Sequence, residues 1–91
     1  MEKPITKAQI ERQLNSLQEE LVKRISKLHK EKFSSNNSHL AEAAGCSETT
    51  IRRLLRNEQN LTMIMLCKIA YAFKITPSEL MYGIGINEES K

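Results

Sequence analysis

The sequence contains no aspartate and no tryptophan, and its 91 residues include only four aromatic residues, three glycines and two prolines. No glycine-rich loop that could cradle a phosphate is visible, and no cluster combines an acid, a base and a nucleophile. No run of about 18 apolar residues occurs, as a membrane-spanning helix would require. We therefore expect neither an enzyme nor a membrane protein.

Cysteine and histidine are equally scarce, with two of each. Cys46 and Cys67 lie 21 positions apart, and with His29 and His39 they match no zinc-site spacing. Cys67 lies among Leu66, Ile69 and Ala70, Cys46 lies in an inter-helix turn, and we expect both cysteines to be buried thiols. We expect the two histidines at the surface or at its boundary. The sequence predicts no metal and no cofactor.

The length and the 40% apolar residues suffice for one modest hydrophobic core. Residues 1–4 lack the apolar segment of a signal peptide, so a cytoplasmic protein is expected. Residues 1–35 carry eight Lys/Arg against five Glu, whereas residues 36–91 carry six of each. Half of those six cations are Arg52, Arg53 and Arg56. The positive charge of the second part is thus local, which predicts modest non-specific affinity for nucleic acid.

A long first helix is predicted for residues 6–33, which contain neither Gly nor Pro, with Thr6 as its N-cap. Two apolar stripes follow one another along it, first Ile10, Leu14, Leu17 and Leu21, then Val22, Ile25 and Leu28. The shift between them indicates a short coiled-coil-like first half and a core-facing second half. The first half either pairs with a second copy or folds back on its own domain.

Four further helices are expected near residues 39–44, 48–56, 62–73 and 77–81, from capping residues and apolar spacing. The fold class is therefore all-α. Met63 and Met65 are expected to fill the core, the alternative being a methionine-rich surface for a partner. Gly45, Cys46 and Ser47 form the turn between the second and third helices, which makes a helix-turn-helix.

The third helix has two chemically different faces. At about 100° per residue, one arc carries Glu48, Thr49, Arg52, Arg53 and Arg56, and the opposite arc carries Thr50, Ile51, Leu54 and Leu55. Guanidinium groups beside short polar side chains suit the recognition of phosphates and guanine edges. The alternative interpretation is an ordinary solvated charged face.

An ordered set of residues carries a family resemblance: Leu40-Ala41, Ala44-Gly45, Ser47, Thr50-Ile51, Arg53, Arg56, Asn60, Leu66, Lys68-Ile69-Ala70, Ala72, Ile75 and Glu79-Leu80. In order and spacing, from about residue 36 to 81, this set resembles the Cro-like and phage-repressor-like helix-turn-helix transcriptional regulators of the xenobiotic response element type. The resemblance implies a five-helix repressor-like DNA-binding domain, here with an elongated first helix. It also implies sequence-specific binding of double-stranded DNA by a dimer, with helix 48–56 in the major groove.

The resemblance and the side-chain chemistry together predict the contacts with DNA. Arg52 and Glu48 are expected at base edges, and Thr49 at a thymine methyl group. The expected phosphate contacts are Asn37, Ser38, Arg53, Arg56, Asn57, Gln59 and Asn60. The family commonly has Gln at the position of Glu48 and Gly at that of Asn57, so both are departures from its pattern.

We expect three segments: a helical extension at residues 1–20 that could serve dimerisation, the DNA-binding domain at 21–82, and a tail at 83–91. Ile84 and Ile86 in the tail either cover a subunit interface or fray. A rival function is a protein-interaction module, such as an antitoxin-like or adaptor subunit. The long amphipathic extension and the neutral second part of the chain favour that rival.

Overall fold

A computed structural model describes residues 6–84 of the chain. These residues form five helices and no strand: α1 Lys7–Phe33, α2 Asn37–Ala44, α3 Glu48–Leu55, α4 Met63–Ala72 and α5 Pro77–Met81. The predicted all-α fold with an elongated first helix is confirmed. Residues 1–5 and most of the expected tail, including Ile86, lie outside the described range. Within that range, none of the helices combines the length and the apolar character needed to span a bilayer.

All five helices begin at side chains that cap them, as the sequence predicts. Thr6 and Thr76 form capping boxes with Gln9 and Glu79, and Asn36, Ser47 and Thr62 cap the other three helices. The backbone N–H of Thr76 donates to the Glu79 carboxylate and lowers its pKa. The stabilisation from Glu79 is therefore complete above the ordinary pKa of a glutamate and is lost as the pH falls through the lowered value.

Residues with left-handed backbone angles follow the last turns of α2 and α3 and end both helices. Gly45 has φ of 72°, and a Cβ added there would meet no atom within 4 Å, so this position requires glycine for its backbone angle and not for space. Asn57 has φ of 61° and takes the position that ends α3. Its N–H donates to the carbonyl of Leu54 at 3.0 Å, and that of Glu58 donates to Arg53 at 2.8 Å, which completes a Schellman motif. Asparagine thus preserves the geometry that glycine provides in the family.

The hydrophobic core draws on all five helices. α1 packs against α2, α3 and α5, and α4 packs against α2 and α5. The largest fully buried side chains are Ile25, Leu40, Ile51, Leu54, Ile69, Phe73 and Leu80. The predicted buried stripe of α4 is confirmed at Leu66, Ile69, Ala70 and Phe73. The core therefore fixes the two helices of the helix-turn-helix, with α2 held against α1, α3 and α4, and α3 held against α1 and α2.

Two cations of α1 hold the ends of distant helices. The Arg24 guanidinium donates to the carbonyl of Leu80 at 3.1 Å and to that of Tyr82, and Lys32 donates to the carbonyl of Phe73 at 2.6 Å. Carbonyls at helix ends lack an intrahelical partner, so these bonds satisfy groups that would otherwise need water. They join α1 to the ends of α5 and α4.

Three side chains that were expected in the core are not buried, so those predictions were wrong. Cys67 is exposed and Cys46 is half-buried, and Met63 is 72% exposed while Met65 is buried. Cys67 follows Leu66 by about 100° around α4 and so leaves the buried arc, whereas Met63 is the first residue of that helix, one turn before Leu66, where the core no longer covers the side chain. Partial burial raises the pKa of the Cys46 thiol, and the nearby Lys68 opposes that rise.

His29 was expected at the surface or its boundary, yet it is only 2% exposed. It lies one turn after Ile25 on the buried face of α1, and its ring centroid is 6.0 Å from that of Phe33. His39, in contrast, is exposed, as expected. A histidine on the buried arc must find a polar partner inside the protein.

The buried ring of Phe73 predicts a large effect of its truncation on stability. Phe73→Ala should lower the free energy of unfolding by about 3 to 5 kcal/mol, because it leaves a cavity at the centre of the core. Urea unfolding followed by circular dichroism at one protein concentration measures this. Tyr71→Ala is the matched control, because Tyr71 lies two residues before Phe73 and is 78% exposed; it should change stability by about 0.5 kcal/mol or less. Equal losses in the two variants would contradict this core assignment.

Candidate nucleic-acid interface

The candidate interface is built on α3, whose two faces differ as the sequence predicts. Ile51 and Leu54 are buried against the core, and Thr50 and Leu55 are half-buried. Ser47 caps the helix by accepting a hydrogen bond from the backbone N–H of Thr50 at 3.1 Å. The buried face thereby fixes which side chains point outward.

Five predicted site residues share the outward face of α3, and all five are exposed: Glu48, Thr49, Arg52, Arg53 and Arg56. Arg52 Nη1 lies 3.9 Å from Glu48 Oε1, and Arg52 Nη2 lies 3.5 Å from the Thr49 hydroxyl. An exposed ion pair of this kind contributes about 0 to 1 kcal/mol, so it orients Arg52 without holding it strongly. The guanidinium can therefore exchange this partner for another acceptor.

The start of α2 meets the start of α3 at this surface. The Ser38 hydroxyl donates to Glu48 Oε2 at 2.9 Å, so Ser38, Glu48 and Arg52 form one chain of polar contacts. Asn36 caps α2 by accepting from the N–H of His39 at 3.0 Å. The partial positive charge at the start of α2 lies beside the arginine face, an arrangement that favours an anion.

Asn37, in the first turn of α2, is held by the buried His29. His29 Nε2 lies 2.9 Å from Asn37 Oδ1, and His29 Nδ1 has no hydrogen-bond partner within residues 6–84. Because an amide oxygen can only accept, His29 Nε2 carries the proton and donates. The amide nitrogen of Asn37, with its two N–H donors, is not used in this contact.

The loop after α3 is held by Gln18 of α1. Gln18 Oε1 accepts from the backbone N–H of Leu61 at 2.9 Å, so its other terminal atom is the amide nitrogen. That nitrogen donates to the backbone carbonyl of Gln59 at 2.9 Å and to Asn57 Oδ1 at 2.8 Å. The orientation of the Asn57 amide follows from this set of bonds. Its oxygen faces Gln18, and its N–H donors are left for another acceptor.

Sequence reasoning missed both Gln18 and His29. They are eleven residues apart, which is about three helical turns, so they lie on one face of α1 with Val22 and Ile25 between them. The available signal was this spacing, in which two polar residues continue a buried apolar stripe at both ends. A stripe defined by apolar residues alone does not include the polar residues that continue it.

Contacts join several of the predicted site residues into two separate groups. Ser38, Glu48 and Arg52 are joined by direct contacts, and Asn57 and Gln59 are joined through Gln18. Asn60 is exposed and Gln59 is half-buried in the same loop. Among the described residues, no group of three or more His, Cys, Asp or Glu could hold a metal ion.

Comparison with known protein families places part of the chain in a described family. A family model described as a Cro/C1-type HTH DNA-binding domain matches residues 24–84. This range covers α2 to α5 together with the second part of α1. Neither a curated protein nor a solved structure matches the chain significantly.

Proposed function

The chain belongs to the Cro/C1-type helix-turn-helix DNA-binding family, and from this premise we propose that it regulates transcription by binding double-stranded DNA sequence-specifically as a dimer. The observation that carries the proposal is the outward face of α3, where three arginines and two short or acidic side chains stand above the buried Ile51 and Leu54. In the proposed complex α3 lies in the major groove, since that groove admits an α-helix.

Base recognition is proposed for the first turns of α3. Arg52 donates both arms of its guanidinium to a guanine, and Glu48 accepts from a cytosine amino group. Thr49 contacts a thymine methyl group. The contact of Glu48 with Ser38 and Arg52 supports this assignment, because partners on both sides reduce the repulsion between its carboxylate and the phosphates.

Phosphate contacts are proposed on both sides of α3. Arg53 and Arg56 reach the backbone from α3 itself, and Asn37 and Ser38 reach it from the start of α2. Asn57, Gln59 and Asn60 provide contacts from the following loop. The orientations of Asn37 and Asn57 support these roles, because in each the amide oxygen is taken by α1 and the N–H donors remain for a phosphate.

Selection of bound sequences from random duplexes tests the proposal directly. With purified protein at two salt concentrations, we expect an enriched motif of two symmetric half-sites about one helical turn apart, because each copy of a dimer meets one half-site. Affinity should fall as salt rises, with a shallow slope, since few cations face the DNA. No enrichment even at low salt, together with a stable complex with another protein, would favour the protein-interaction alternative.

The different contacts proposed for the three arginines, a base edge for one and phosphates for the other two, give a second prediction. Arg53→Ala and Arg56→Ala should weaken binding to all sequences alike and reduce the salt slope by about one each, because each removes a phosphate contact. Arg52→Ala should relax preference at one base and lower the specific affinity by about 1 to 3 kcal/mol. Titrations of selected and random duplexes separate the two effects. Equal losses on both duplexes for all three variants would refute the division.

Gln18 should act on DNA binding through Asn57. In Gln18→Glu the carboxylate still accepts from Leu61 but cannot donate, so the Asn57 amide turns its N–H groups inward and its oxygen outward. We expect about tenfold weaker binding to every sequence, since one hydrogen bond to a charged phosphate is lost.

Gln13→Glu is the control for Gln18→Glu, because it makes the same charge change at an exposed position of the same helix. It should weaken binding much less. In an Asn57→Ala background, Gln18→Glu should have no larger effect than Gln13→Glu. A full additional loss in that background would mean that Gln18 does not act through Asn57.

A further inference from the structure

An open apolar groove lies between α1, the start of α4 and the residues after α5. Its volume is about 310 Å³, and its walls include Leu14, Leu17, Met63, Leu66, Met81 and Ile84. Four of these side chains remain exposed: Leu14 at 53%, Leu17 at 41%, Met63 at 72% and Met81 at 42%. The groove is on none of the surfaces assigned above to DNA.

A protruding apolar ridge lies directly beside this groove. It is formed by Ile10 and Leu14 on the first turns of α1, which are 47% and 53% exposed. Leu14 belongs to both features, so the ridge continues into the groove along one helix. The family match begins at residue 24, so the ridge and the α1 wall of the groove are additions to the matched domain.

We propose that a second copy of this chain fills the groove. The two α1 helices would cross antiparallel about a two-fold axis near Leu14, so that Ile10 of each copy enters the groove of the other. This inference rests on the proposed function in that it assigns a surface to the dimer proposed there. A ridge and a groove side by side on one copy are what a two-fold interface needs, because each copy then offers both complementary halves.

The amount of exposed apolar surface agrees with a dimer. Ile10, Leu14, Leu17, Met63, Met81 and Tyr82 are each between 41% and 72% exposed. The first five of these residues line the ridge and the groove and form a patch on the order of the 300 to 600 Å² that often marks an interaction site. Two copies that bury such patches against each other approach the approximately 1,200 Å² of total burial at which stable interfaces begin.

The position of Gln18 links this interface to the DNA-binding surface. Gln18 is one turn, about 6 Å, from Leu14 along α1, and it bonds to the loop that contains Asn57 and Gln59. A two-fold axis near Leu14 would thus bring the corresponding loops of the two copies close to each other. The two α3 helices would then lie on either side of the axis, as binding to two half-sites requires.

Sedimentation equilibrium of the full chain without DNA tests the interface separately from DNA binding. We expect the parent at micromolar concentrations to have twice the 10.4 kDa chain mass. Leu14→Glu and Ile10→Glu should each raise the dimer dissociation constant by at least about 100-fold, because every substitution enters the interface twice. Circular dichroism confirms that the variants stay folded. Tyr71→Glu, an exposed apolar position outside the groove, is the matched control and should remain dimeric.

Mixing two variants tests whether the contact is between copies. Ile10 is outside the groove walls of its own chain, so a favourable pair between Ile10→Glu and Met63→Lys forms only across the interface. Each variant alone should be monomeric, and an equimolar mixture should form a heterodimer.

A monomeric unsubstituted chain would overturn the proposal and leave the groove to residues 85–91 or to another protein. An Ile10→Glu variant that dimerises as strongly as the unsubstituted chain would also overturn the proposal. A dimeric parent that selects no DNA motif would refute the proposed function alone.

Discussion

One face of α1 carries the constraint on which the rest of the structure depends. Its apolar centre, Leu21, Val22 and Ile25, is buried against the other helices, and its polar ends are Gln18 and His29. Apolar burial supplies the free energy that holds this face in place, and the hydrogen bonds at its ends give it a single register. Because the same face contacts the start of α2 and the loop after α3, α1 determines how both ends of the proposed DNA-binding surface are oriented.

The sequence predicts those parts of the fold that depend on neighbours in the chain. Thr6, Ser47, Thr62 and Thr76 cap helices through residues three positions away, and Asn57 ends α3 through its own backbone angle, so these features could be found by inspection. The bonds of Gln18 and His29 could not be found in this way. Gln18 reaches partners about 40 residues further along the chain, and His29 reaches across to a second helix. Exposure of Cys67 and Met63 was also missed, although the buried arc of α4 was predicted, because residue type alone does not show that a side chain at the edge of that arc or at the start of the helix stays uncovered.

The predicted binding residues show the same difference between features set by neighbours in the chain and features set by tertiary structure. The arginine face of α3 follows from helical geometry and from Ile51 and Leu54, and all five of its polar members are exposed where the pattern put them. Their network is set by tertiary structure: Ser38 reaches Glu48 only because α2 packs against α3. An acidic residue in an otherwise basic face is thus held by two neighbours before any ligand arrives. This preorganisation reduces the ordering that binding must impose on those side chains.

The eleven-residue interval between Gln18 and His29 restricts how such a chain can change in length. One residue inserted between them would rotate Gln18 by about 100° around the helix axis relative to His29 and detach the 57–61 loop from α1. Residues added before Gln18 would lengthen α1 without disturbing either bond. A length change before the ridge therefore leaves both bonds of α1 intact, whereas a length change between Gln18 and His29 breaks one of them. The length of α1 beyond the matched domain can thus vary independently of the orientation of the proposed DNA-facing surface.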